Sequence, residues 1–305
     1  MEEVIKTMNL SKHYGDVKAV DSLNLNVLKG EIYGFLGLNG AGKTTTIRML
    51  LGMINPTRGK AYINEKHIKP NNGVSWNDIG YLVEIPYSYP NLTVRENLDI
   101  IRRLRKISDR GAVDRIIDLL EIGQYANRKA KSLSLGNKQR LGLAKAMIHN
   151  PKILILDEPT NGFDPAGIYE VREMLSNLAK NEGVTIFISS HILGEISRFA
   201  TRIGIIHNGL LIQEITKEEL DNLANKRLTI DCNNQSKAVS ILEENGYAQL
   251  NINNGIIEVG DQSALSQPEK IATLLVEEQC PPSLLKVEEE DLESYFLRTI
   301  KSKNA

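Results

Sequence analysis

Residues Gly37 to Thr44 read Gly-Leu-Asn-Gly-Ala-Gly-Lys-Thr, a glycine-rich run closed by a cation and a hydroxyl. Gly37, Gly40 and Gly42 let the main chain wrap tightly, so that the N–H groups of Leu38, Asn39 and Ala41 can face phosphate oxygens. Lys43 adds a point charge for the β- and γ-phosphates of a nucleotide. Thr44 offers its hydroxyl to Mg²⁺, and Thr45 is placed for the α-phosphate. The run follows an apolar strand and opens a helix, the context in which this spacing works as a phosphate cradle.

Phosphoryl transfer also needs a carboxylate for the metal and a group that positions water. The stretch "ILILDEP" supplies both: Asp157 ends an apolar strand and Glu158 follows as the candidate base for the attacking water. His191 ends a second apolar stretch, "TIFISS", from where it could sense the γ-phosphate. The other four histidines belong to no such constellation. A second helix start, "SLSLGNKQRLGLAKAM", places Ser134 and Gly136 ahead of apolar positions. Its free N–H groups and positive dipole end also suit an anion. One chain thus carries two phosphate-ready helix starts.

The elements that must position these residues follow from the periodicity. Apolar strands alternate with amphipathic helices as far as about Asn225, which predicts an α/β layer whose parallel sheet is covered on both faces. The segment "TVRENL" opens a helix with a capping box, Thr93 with Glu96 three residues on. "HNGL" marks a hairpin turn at Asn208-Gly209. Beyond Asn225 the order becomes strand, helix, strand, strand, helix, strand, ending in the helix-like "DLESYFLRTI". That is the plan of a small split βαβ domain.

Composition excludes several classes. The 305 residues suggest two domains, and a net charge of -1 provides no basic footprint for nucleic acid. The basic stretch "IIRRLRKISDRG" reads as a solvated helix face. Cys232 and Cys280 lie far apart in the sequence, imply no zinc site and suit a reducing compartment. No apolar run approaches the roughly 20 residues of a membrane span, and the N-terminus is not a signal peptide.

Taken together, these motifs resemble the ATP-binding-cassette transporter ATPases over residues 4 to 225. The resemblance implies a P-loop cassette of α/β class with a RecA-like core, an antiparallel β subdomain and a helical signature subdomain. A small C-terminal α+β domain over 226–305 would follow it, of ferredoxin-like plan and with a regulatory or dimerising role. Tyr14 looks like the aromatic residue that stacks on adenine. "GFD", Gly162 to Asp164, resembles the D-loop, and His191 matches the switch histidine. "LSLGN", Leu133 to Asn137, falls at the LSGGQ signature, with Leu135 in place of glycine and Asn137 in place of glutamine. Two such cassettes pair head to tail, each signature closing the other's ATP site, so Ser134 and Gly136 would touch the γ-phosphate held by a second copy.

A narrower resemblance, to the bacitracin-export and lantibiotic-immunity ATPases, rests on "GYLVEIPYSYPNLTVRENL", "SLGNKQRLGLAKA" and the chain's ending. Glu84 stands there where most of the family has glutamine, and would reach toward Mg²⁺ and the attacking water. The implied catalytic set is Glu158, His191 and Glu84, the implied metal set Thr44, Asp157 and Glu84, and the cofactors ATP and Mg²⁺. The implied partners are membrane permease subunits on separate chains, with the protein at the cytoplasmic face of the membrane. Lipid or small-drug export and a non-transport role on ribosomes or DNA are the alternatives. The latter lacks the tandem cassettes or inserted coiled coil of such relatives, and a GTP switch lacks its N-K-x-D motif.

Overall fold

The computed structural model of the protein describes residues 2–69, 76–84, 86–223, 226–253 and 255–289. Two compact units divide the chain, Met1–Lys217 and Glu218–Ala305. The division comes a few residues before the change of texture read at Asn225, because the charged helix following Lys217 counts with the second unit.

The first unit begins with β1 (Glu3–Tyr14), β2 (Val17–Leu23), β3 (Asn26–Leu28), β4 (Ile32–Leu36), α1 (Lys43–Leu50), β5 (Arg58–Ile63) and β6 (Lys66–His67). Then come β7 (Ile79–Leu82), α2 (Val94–Leu104), α3 (Ala112–Leu119), α4 (Leu135–Met147) and β8 (Ile153–Asp157). It closes with α5 (Pro165–Glu182), β9 (Thr185–Ser190), α6 (Leu193–Ile196), β10 (Arg202–His207) and β11 (Leu210–Thr216).

Two sheets result. One is antiparallel, in the order β2-β1-β5-β6, with β3 also paired to β1. The other has the order β11-β10-β4-β9-β8-β7, parallel except for β11 at one edge. The parallel sheet expected from the strand–helix alternation is present, and β11 adds the antiparallel edge that the hairpin read at Asn208-Gly209 implies. Asn208 and Gly209, both with positive φ, turn β10 back on itself, as a two-residue hairpin requires.

Strands β4, β8 and β9 are buried along their whole length, as strands with both faces covered must be. The Phe187 ring of β9 packs between those of Tyr33 and Phe35 of β4, at centroid distances of 5.5 and 5.3 Å. Such ring pairs add about 0.5–1.5 kcal/mol each beyond the area they bury. They hold β4 and β9 in the register that aligns Leu36 with Ser190. The capping box of α2 forms as read, with the Thr93 hydroxyl accepting from the Glu96 N–H and the Glu96 carboxylate accepting from Thr93. Helix α6 is a single turn after His191.

In the second unit, α7 (Lys217–Leu223), β12 (Lys226–Cys232), α8 (Gln235–Glu244), β13 (Leu250–Asn253) and β14 (Ile256–Val259) precede α9 (Gln262–Ser266), α10 (Pro268–Glu277) and β15 (Pro282–Glu289). The strands form one antiparallel sheet, β13-β14-β12-β15. Its core joins Leu228, Ile230, Ile257 and Val259 of the sheet to Ile241, Leu242, Ile271 and Leu275 of the helices. Cys232 and Cys280 meet in this core as free thiols. Burial first, and the neighbouring Cys280 second, push the Cys232 thiol above its ordinary pKa. The fold therefore pairs two cysteines that sequence distance separates. The expected last helix, "DLESYFLRTI", lies outside the described residues.

Candidate functional site

The P-loop sits at the carboxyl end of β4, where ligands of parallel α/β sheets bind. Its glycines are required by space as well as by conformation. A Cβ on Gly42 would lie 2.4 Å from the Ala19 carbonyl of β2, and φ at Gly42 is +110°. A Cβ on Gly37 would lie 2.6 Å from the Ile206 carbonyl. Leu38, Asn39 and Gly40 form the exposed crest and Ala41 is buried beneath. The Gly37 N–H donates to the Ser190 carbonyl at 3.2 Å, which ties the loop to the end of β9.

Lys43 is 6% exposed. Its ammonium donates to the Gly37 carbonyl at 2.6 Å and pairs with Glu158 Oε1 at 3.1 Å. A phosphate entering the loop competes for this charge. Thr44 and Thr45 are half-buried on the first turn of α1. The Thr44 hydroxyl donates to Asp157 Oδ2 at 2.7 Å, and the Ser189 hydroxyl donates to Asp157 Oδ1 at 2.6 Å. Each oxygen of this carboxylate, 2% exposed, thus has its own donor.

Glu158 has φ +49°, a left-handed conformation that costs energy outside glycine and concentrates at functional positions. The bend turns its side chain from the β8 line toward the loop, between Lys43 on one oxygen and His191 on the other. His191 Nδ1 lies 2.6 Å from Glu158 Oε2. An ionised carboxylate only accepts, so Nδ1 carries the proton and Nε2 is the nitrogen left for a ligand.

Thr44 and Asp157 present a hydroxyl and a carboxylate together, oxygen donors of the kind a hard cation takes. Among the described residues no cluster of three or more histidine, cysteine, aspartate or glutamate side chains could hold a metal. This donor set fits Mg²⁺, which is commonly held by one or two carboxylates plus substrate phosphates.

The second helix start is built elsewhere on the first unit. Ser134 caps α4, its hydroxyl accepting from the Asn137 N–H at 3.3 Å. Ser134, Leu135, Gly136, Asn137, Gly162, Phe163 and Asp164 line an open cleft of about 490 Å³, with Arg140 and Glu170 at its side. No P-loop residue lines it. Leu135 lies over Gly162, whose φ of +84° and closeness to the leucine, 2.5 Å from any added Cβ, leave room for glycine alone. Asp164 caps α5 through the Gly167 N–H at 2.9 Å.

Tyr14 ends β1, half-exposed, with Lys12 Nζ 5.0 Å from its ring centroid. It opens the hairpin to β2, the strand that Gly42 packs against.

Glu84 is placed differently from the expectation. Its carboxylate pairs with Arg48 Nη2 at 2.6 Å, on the last turn of α1, not with Thr44 or Asp157. Arg48 lies one helical turn beyond Thr44 and satisfies the acid locally. Glu84 and Arg48 line a groove of about 1120 Å³ with Trp76, Tyr81, Tyr87 and Tyr89. Another cavity, of about 560 Å³, lies at the amino ends of β8 and β9, away from this chemistry.

The structure thus gathers Gly37, Lys43, Thr44, Asp157, Glu158 and His191 into one site. It keeps Ser134, Gly136 and Asp164 in a second, and leaves Glu84 in the groove. Sequence reasoning missed Ser189 and Arg48. The signal for Ser189 lay in the strands themselves: aligning "ILILD" with "TIFISS" by their apolar runs puts Asp157 beside Ser189, the observed register.

The ABC transporter family profile matches residues 20–161. The bacitracin transport ATP-binding protein BcrA of Bacillus licheniformis is 44% identical over 302 residues, covering 98% of either chain. The lantibiotic transport ATP-binding protein SrtF of Streptococcus pyogenes is 38% identical over 225 residues, 72% of this chain and 94% of its own. A solved dimeric ATP-binding cassette in a post-hydrolysis state with ADP and Pi matches at TM-score 0.65 and 25% identity, over 70% of this chain and 98% of its own.

Proposed function

This chain belongs to the ABC transporter family as an ATP-hydrolysing subunit, and on that premise we propose that it powers export of a bacitracin-like peptide antibiotic through permease subunits on other chains. The observation that carries the catalytic part is the convergence of Lys43, Thr44, Asp157, Glu158 and His191 at the carboxyl ends of β4, β8 and β9. Glu158 orients and deprotonates the attacking water. His191, held by Glu158, turns Nε2 to the γ-phosphate. Lys43 leaves the loop carbonyls for the β- and γ-phosphates, and Tyr14 stacks on adenine. Bound Mg²⁺ would neutralise developing charge on the phosphates, with Thr44 and Asp157 as its protein contacts.

The cargo class rests on coverage. The bacitracin transport relative is matched along both units, whereas the lantibiotic transport relative leaves more than a quarter of this chain unmatched. The second unit is therefore part of what the bacitracin relative shares. No helix among the described residues is long and apolar enough to cross a membrane. The aromatic groove around Tyr81, Tyr87 and Tyr89 is a fitting seat for a permease segment at the cytoplasmic face. The cleft at Ser134 would close the ATP site of a second copy, head to tail.

The test is expression of the chain with its neighbouring permease genes in a bacitracin-sensitive host. Resistance that appears with the wild type and disappears with Lys43→Ala supports the reading. Robust ATPase activity without any change in bacitracin survival would sink the cargo assignment.

A further inference from the structure

The end of β9 holds three parts of the hydrolytic site with three consecutive residues. The Ser190 carbonyl takes the Gly37 N–H of the P-loop. His191 takes the Glu158 carboxylate. Ser189 does something the proposed mechanism leaves unused: its hydroxyl, in a fully buried side chain, touches both carboxylate residues at once.

A serine hydroxyl has one proton and two lone pairs. Here the proton goes to Asp157 Oδ1 at 2.6 Å, and a lone pair takes the Glu158 N–H at 3.0 Å. The same N–H also reaches the Ser189 carbonyl at 3.3 Å, a longer contact. Asp157 Oδ2 is already engaged by Thr44. Removing the hydroxyl would strand a buried carboxylate oxygen and loosen the main chain where Glu158 adopts its left-handed conformation.

We propose that Ser189 is a positioning residue for ATP hydrolysis, its buried hydroxyl setting the Asp157 carboxylate and the Glu158 main chain in a single geometry. The Ser189 side chain is fully buried. It acts by keeping Asp157 Oδ2 turned to Thr44, the pair that would hold Mg²⁺, and by aiming Glu158 between Lys43 and His191. A buried serine could also serve packing alone, and the two roles differ in what they move. A packing role shifts stability. The positioning role shifts the Mg²⁺ dependence of nucleotide binding and the turnover number.

The proposal rests on the ATPase reading, and the experiment separates the two. The full-length wild type, Ser189→Ala, Ser189→Cys and Lys43→Ala are assayed together for steady-state hydrolysis, for binding of a fluorescent ATP analogue at graded Mg²⁺, and for melting temperature. Ser189→Ala is expected to lower turnover at saturating ATP by about tenfold or more. It should raise the Mg²⁺ needed for half-maximal binding and leave binding in the presence of chelator unchanged. Ser189→Cys keeps the size with a weak donor and acceptor, and is expected to share the Mg²⁺ deficit. Wild-type turnover and Mg²⁺ dependence in both Ser189 variants would overturn the proposal while leaving the ATPase reading intact. A wild type no more active than Lys43→Ala would instead sink the reading on which it rests.

Discussion

The helix starts at Gly42 and Ser134 use the same physics: free N–H groups and the positive end of a helix dipole. They differ in what surrounds them. At Gly42 the loop wraps back on itself, Lys43 supplies a charge, and Asp157, Glu158 and His191 arrive from the neighbouring strands. At Ser134 the cap is a lone hydroxyl, and the charged pair at its cleft, Arg140 with Glu170, is already self-satisfied. On the proposed reading the first start holds the nucleotide that reacts, and the second, with its free N–H groups and the Ser134 hydroxyl, contacts a phosphate oxygen. On the proposed head-to-tail pairing, the cleft at Ser134, with Gly162 beneath Leu135, is a site that a second copy completes.

The sharpest break of this comparison comes from mixing variants. Lys43→Ala and Ser134→Arg should each abolish hydrolysis as the only chain present. Ser134→Arg alone should retain nucleotide binding by the single chain, since its cleft is separate from the P-loop. If signatures close the partner's site, an equal mixture of the two proteins assembles some pairs with one intact P-loop facing one intact signature. The mixture should recover a fraction of wild-type ATPase activity. Zero recovery at any mixing ratio would place both helix starts in one chain's site.

Next in size is Glu158→Gln, which keeps the size of Glu158 but removes the base and leaves one acceptor oxygen where the carboxylate has two. Turnover should fall by about 100-fold or more, with ATP still bound, so that paired chains accumulate. Size-exclusion chromatography with ATP and Mg²⁺ should resolve a pair that the wild type forms only transiently. A strictly monomeric elution at saturating ATP would contradict the shared site.

Much of this asymmetry could be read before the fold was known, and the reason is locality. The P-loop, Asp157-Glu158 and the capping residues act within a few positions of themselves, so residue type and spacing reveal them. What could not be read depends on register between distant strands or on where a loop comes to rest. Ser189 meets Asp157 because β8 and β9 run side by side. Cys232 meets Cys280 because β12 and β15 pair. Helix α5 carries a Pro165 start and a left-handed Gly183 end, local signals that the reading passed over. Glu84 was assigned by its place in a motif, and the structure seats it on Arg48.

That seat sharpens the comparison further. Residues on either side of position 85 are tied to the last turns of both helices: Glu84 to Arg48 of α1, and Tyr87 and Ser88 to Lys145 of α4. Both partners of the Arg48–Glu84 pair are more than one-third exposed, so the pair is worth about 0–1 kcal/mol. Glu84→Ala should therefore barely change stability, while uncoupling ATP hydrolysis from resistance if the groove is where the permease acts. Glu84→Gln should be milder, since it keeps the reach. Full resistance in Glu84→Ala cells at matched expression would reduce Glu84 to a surface acid.

The smallest effect concerns the other tie. Lys145 Nζ donates to the Tyr87 carbonyl at 2.7 Å and to Ser88 Oγ at 2.9 Å, with no carboxylate in the pairing. Burial lowers its pKa from 10.5 to about 8. Below pH 8 the folded and unfolded chains both hold this proton, and the folded state bears the cost of a desolvated charge. Between pH 8 and 10.5 the unfolded chain holds more protons than the folded one, so this group makes stability rise with pH. Denaturant midpoints of the wild type and Lys145→Met, measured from pH 7 to 9.5, isolate the contribution. The wild type should gain on the variant as pH rises, from a difference at pH 7 of no more than about 1 kcal/mol. A difference that stays flat across that range would mean the ammonium is solvated, and that α4 grips its loop no differently from α1.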